Sequence, residues 1–158
     1  MSNVRWARIG FALLAWLLAG LAIVQIYLAG LALFVVDSTF EMHRNFGYLI
    51  GIIALVQLVL AFAGKLGGRM IGTSALLLGL MALQSVLVIM RADQPTIAAI
   101  HPVNGFLIVL LSVWIAWRAL GYIRAPLPPE PVEAAPAPAA THSPRPTLDQ
   151  QDEQEDRL

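Results

Sequence analysis

Four stretches of the chain, 9–36, 45–64, 70–90 and 94–117, contain no Asp, Glu, Lys or Arg. A helix crosses a bilayer core with about 20 apolar residues, at a rise of about 1.5 Å each. Each stretch reaches that length, and the first exceeds it, which leaves room for tilt or a protruding end. Inside lipid a backbone must satisfy its own hydrogen bonds, so all four are predicted to be helices. A soluble domain carries about 25% charged residues, whereas this chain has 13%, too few to coat a water-soluble globule. Arg5 and Arg8 ahead of the first stretch also suit a signal peptide. The length of that stretch and the lack of a persuasive small-x-small cleavage motif favour a retained helix. The expected fold class is all-α: a polytopic, up-down-up-down four-helix transmembrane bundle over residues 1–124, with spans near 9–36, 45–64, 70–90 and 96–118.

The net charge of zero hides an asymmetry. Residues 1–124 hold eight cations and three anions, whereas 125–158 hold two cations and seven anions. Eight of the ten prolines also lie beyond residue 124. A segment of that composition cannot bury a core, so 125–158 is expected to be a disordered, Pro-rich acidic cytoplasmic tail, with a docking peptide as the other reading. Within the bundle, Arg5, Arg8, Lys65, Arg69, Arg118 and Arg124 fall on one side of the membrane. Arg44 and Arg91 fall on the other, with Asp37, Glu41 and Asp93. The excess of cations on the first side places both termini in the cytoplasm of a bacterial inner membrane. The bilayer is the expected partner; no nucleic acid is.

Cysteine is absent, which excludes disulfides, thiolate metal sites and cysteine nucleophiles. The spans also lack a lone Asp, Glu, Lys or Arg, which argues against an ion pump or proton-coupled transporter. Among the polar residues left inside are His43, His101, Asn104, Gln25, Gln57 and Gln84. In an up-down bundle the second and fourth helices run parallel and sit on a diagonal. Ser38-Thr-Phe-Glu41 reads as a capping box that starts the second helix, and Gln94-Pro95 reads as the start of the fourth. His43 and His101 then lie at similar depth near the outer surface and face each other, as the axial ligands of a bis-histidine haem must. The other readings are a His43 that faces water at the headgroups and a His101 that caps a later-starting fourth helix ahead of Pro102.

A weak internal repeat is also present, with duplication of a helix pair and chance as its two readings. His43-Arg-Asn-Phe-Gly47 and His101-Pro-Val-Asn-Gly105 are both His-x-x-x-Gly ahead of a long apolar run. Gly47 and Gly105 lie one turn from the histidines, where the missing side chain leaves room for a flat porphyrin; close helix packing is the other reading. Arg44 and Arg91 could pair with haem propionates or serve as interfacial anchors. Gln25 and Gln84 should lie near the histidine layer, as interhelical hydrogen-bonding residues or as partners of the ligands. Gln57 lies deeper and reads as interhelical glue. Trp6, Trp114, Trp117 and Tyr122 read as an aromatic belt.

At Glu41-Met-His-Arg-Asn-Phe-Gly47 the chain resembles one four-helix half of the haem A synthase family, whose pattern is Glu, a ligand His followed by Arg, and Gly one turn later. It is also similar to a group of small uncharacterised bacterial four-helix membrane proteins with a His in helix two and an Ile/Leu-His-Pro-Val-Asn opening to helix four. The resemblance implies that His43 and His101 are haem ligands. Three features depart from the synthases. They have two bundles where this chain has one, their Glu precedes the His by three residues where Glu41 precedes His43 by two, and no outer cysteine pair is present here.

These features lead to one principal expectation, a small b-type haem-binding redox or haem-handling protein with haem b held by His43 and His101. Its partner would be a quinone or a periplasmic redox protein, and it could work as a homodimer or in a larger membrane complex. The competing expectation is a cofactor-free accessory subunit of such a complex. A haem-modifying enzyme has the least support.

Overall fold

The structure, a computed structural model, describes residues 3–37 and 39–126, which are helical apart from short connections. Helices α1 (Asn3–Phe34), α2 (Thr39–Ala63) and α3 (Gly68–Ile89) precede the single turn α4 (Pro95–Ala98) and α5 (His101–Arg124). Four helical segments, with α4 and α5 taken together as Pro95–Arg124, are long and apolar enough to cross a bilayer. Of the expected tail 125–158 only Ala125 and Pro126 are described; the rest lies outside the described residues, as does Ser38 of the proposed capping box.

The distribution of side chains is that of a protein dissolved in lipid. Large apolar residues such as Leu13, Ile23, Ile52 and Val59 point outward, where lipid tails receive them without penalty. The interior is lined instead by small residues on α1: Ala12, Ala15, Ala19 and Ala22 are all buried. Their alternating spacing of three and four keeps them on one face, and their size lets neighbouring backbones approach closely. α1 packs against both α2 and α5, and α3 packs against the same two helices. α2 and α5 therefore lie across a diagonal, as the sequence implies. Phe11, Leu18, Met70, Leu77 and Ile115 fill the centre. The fold is an all-α four-helix bundle of a multi-pass membrane protein.

Two connections show how the sequence sets the ends of helices. After α2, the Leu66 N–H bonds to the Ala61 carbonyl at 3.1 Å and the Lys65 N–H to Phe62 at 3.0 Å. That pair of bonds is a Schellman closure, with Lys65 in the left-handed region at φ 51° and buried Leu66 as its apolar contact. Ahead of α5, the expected continuous helix from Gln94-Pro95 is interrupted. Pro95 does sit in the first turn of α4, but Pro102 has no N–H to give the Ala98 carbonyl. The helix stops at Ala99–Ile100 and restarts at His101, with Pro102 in the first turn, where no N–H is needed. His101 is thus the first residue of α5, not six or seven residues inside a single helix.

Candidate functional site

In the α1–α2 hairpin, Gln25 and His43 are joined twice. His43 Nδ1 lies 3.0 Å from the Gln25 carbonyl, and Gln25 Nε2 donates to the His43 carbonyl at 2.6 Å. The α3–α5 half repeats the first bond. His101 Nδ1 lies 3.3 Å from the Gln84 carbonyl. Here the glutamine side chain is turned elsewhere: Asn104 Nδ2 donates to Gln84 Oε1 at 2.8 Å and to the Leu80 carbonyl at 2.8 Å.

The carbonyls fix the histidine tautomers. A carbonyl oxygen only accepts, so each Nδ1 carries the hydrogen and each Nε2 keeps a lone pair. The two half-buried rings stand with centroids 6.3 Å apart and planes at 61°. In the neutral ring the Nδ1 bond leaves the lone pair of each histidine on Nε2. The two rings meet edge-on, and among the described residues no group of three or more His, Cys, Asp and Glu comes together.

The glycines of the repeat make room for something specific. A Cβ at Gly47 would lie 2.9 Å from Gln25 Nε2, and one at Gly105 would lie 3.2 Å from Gln84 Nε2. The space expected to receive a porphyrin edge is, at these two positions, where glutamine amides lie. The repeat is accordingly longer than His-x-x-x-Gly. Gln25, His43 and Gly47 match Gln84, His101 and Gly105, with the glutamine 18 residues before the histidine in one half and 17 in the other. That near-equal spacing was present in the sequence and could have revealed the third member.

Arg44 pairs with Glu41 at 3.7 Å, both well exposed, an arrangement worth little to stability. Arg91 is exposed in the turn after α3. Trp6 and Trp117 are exposed as a belt requires, whereas Trp114 and Tyr122 pack against the core. Gln57 is a correction: it is fully buried, yet neither amide atom finds a hydrogen-bond partner in the protein, so it does not bond helix to helix.

Arg8 does more than contribute a charge ahead of the first span. It is buried, and its guanidinium donates to the carbonyls of Gly64 at 3.0 Å, Tyr122 at 3.4 Å, Ala125 at 3.1 Å and Pro126 at 3.2 Å. These carbonyls belong to the ends of α2 and α5, where the helix dipoles are negative, so the cation has partners without a carboxylate.

Residues 25–92 match the model of a family of unknown function (DUF6220), a span that begins at Gln25 and takes in His43 and Gln84 but not His101. No curated protein and no solved structure matches the chain.

Proposed function

We propose that the protein binds one b-type haem between His43 and His101 and works as a small redox or haem-handling protein of a bacterial inner membrane. The supporting observation is the imidazole pair. With iron–nitrogen bonds of about 2 Å and ring nitrogens about 1 Å from their centroids, two axial imidazoles stand about 6 Å apart. The rings here stand at 6.3 Å. Each has its Nδ1 tied to a backbone carbonyl, the outer bond that metal-bound histidines commonly make to fix the ring and raise its basicity.

When bound, the haem would supply one-electron chemistry. The chain's own residues hold the two ring nitrogens, orient them through Gln25 and Gln84, and wall the site with apolar helices. Arg44 and Arg91 are the cations available for propionates on that end of the bundle. The cation distribution orients that end outward, with both termini cytoplasmic. From one end of a core about 30 Å thick, a single centre serves a quinol or a periplasmic redox partner and does not relay electrons across the membrane. The likeness to one half of the haem A synthases agrees with this reading.

The second reading is a cofactor-free accessory subunit, in a homodimer or larger complex. The filling of the Gly47 and Gly105 clearances by glutamine amides favours it, because that is how helices pack closely without a guest. A reduced-minus-oxidised absorption spectrum of the purified protein separates the two. Sharp paired visible bands, lost in His43→Ala, are expected. A colourless, folded preparation from haem-replete cells overturns the haem reading.

A further inference from the structure

Below the histidine layer, three polar side chains share a level in the inner half of the bundle. Gln57 lies seven residues before Gly64 and Ser74 seven residues after Gly67, so the α2–α3 hairpin brings them side by side in depth. Ser74 precedes Gln84 by ten residues, and Ser112 follows His101 by eleven on the antiparallel α5. The bonds from His101 and Asn104 to Gln84 and Leu80 set that register. All three side chains are at most 2% exposed.

Their hydrogen-bonding states differ in a telling way. Thr73 donates to the Arg69 carbonyl at 2.7 Å and Ser112 to the Ile108 carbonyl at 2.7 Å. This is the usual resort of a hydroxyl inside a helix. Ser74 makes no such bond, and Gln57 Oε1 and Nε2 are likewise without a partner in the protein. An unpartnered amide or hydroxyl in an apolar interior costs about 1–3 kcal/mol, so three such atoms at one level call for a guest.

We infer that Gln57, Ser74 and Ser112 form a site that binds water. The chemistry of the level selects the guest. It holds no charged residue, so an ion would lack a counter-charge. The side chains are enclosed, so neither a lipid headgroup nor another protein can reach them. Gln57 supplies two donors and an acceptor, Ser74 a donor and an acceptor, and Ser112 only its lone pairs. A molecule that both donates and accepts, and makes about three bonds when buried, meets that set. The bound water links α2, α3 and α5 and fixes their register in the inner half.

Water-edited nuclear magnetic resonance on the full chain in lipid nanodiscs, with ¹⁵N-glutamine labelling, tests this. The Gln57 side-chain NH₂, assigned by its loss in Gln57→Asn, is expected to show a cross-peak to water. The Ser74→Ala/Ser112→Ala double variant, which leaves helix propensity high, is expected to lose it with the rest of the spectrum unchanged. A Gln57 amide that sees only protein protons, or a water cross-peak indifferent to both serines, overturns the site. If Gln57→Asn does not fold, the Gln57 amide is assigned through its own backbone resonances, and the double variant decides between the same outcomes. Neither result depends on whether haem binds at the histidines.

Discussion

Gln25 and Gln84 hold equivalent places in the two hairpins of the bundle, but they secure their histidines differently. His43 lies within α2 and is held in both directions, with bonds of 3.0 Å from its ring and 2.6 Å to its carbonyl. His101 is the first residue of α5, just after an interruption in the helix. Its single bond is 3.3 Å long, and the Gln84 side chain is committed to Asn104. The two halves hold one histidine by two bonds and the other by a single longer one. The difference comes from Pro102, which breaks the helix beside His101, and from Asn104, which stands where the first half has Phe46.

On the proposed haem reading, the largest effect expected from this difference is in haem retention. His43→Gly should lose the haem, whereas His101→Gly should keep a five-coordinate haem that added imidazole restores to six-coordinate. The double variant should add little to His43→Gly, because two ligands of one metal act as a unit. Visible spectra of the purified variants measure this. Equal behaviour of the two single variants would show that the difference in bonding has no consequence for ligand strength.

Next in size is the link that joins the halves at the opposite end. Arg8→Ala removes a buried cation bonded to four carbonyls and should lower stability by about 2–4 kcal/mol in detergent unfolding. Arg8→Lys should recover only part, because an ammonium cannot spread across the acceptors as a guanidinium fork does.

The glycines sharpen the contrast at smaller scale. Alanine gains about 1 kcal/mol over glycine in helix propensity. At Gly47 that gain is opposed by displacing an amide 2.9 Å away that holds a 2.6 Å bond. At Gly105 the neighbour is 3.2 Å away, and its nitrogen has no such bond. Gly105→Ala should therefore be the more stable variant by about 1 kcal/mol. The reverse order in thermal unfolding would mean that Gln25 gives way freely.

Truncation has the smallest effect, and its position matters. Removing 129–158 should leave insertion and unfolding unchanged, in keeping with the composition of that segment. Cutting after Arg124 deletes the Ala125 and Pro126 carbonyls that Arg8 uses, so the bundle should lose about 1 kcal/mol. Equal stability of the two truncations would remove those carbonyls from the Arg8 anchor.

By itself the sequence determined the number of spans, their alternation and the diagonal placement of the second and fourth. Charge exclusion from lipid and short connections leave few other arrangements. It also singled out His43 and His101, because polar residues inside a span are few and costly. What the tertiary structure alone decided depends on atoms that residue identity does not specify. The carbonyls that orient the imidazoles and receive Arg8 belong to backbone, which every residue has. The distances of 56 and 114 residues that separate Arg8 from Gly64 and Tyr122 leave no local trace. The amides beside Gly47 and Gly105 likewise come from another helix, so a clearance legible in the sequence did not say what would fill it. Gln57 reads from sequence as interhelical glue and no pattern singles out Ser74; helix packing alone encloses both and gives neither a partner in the protein.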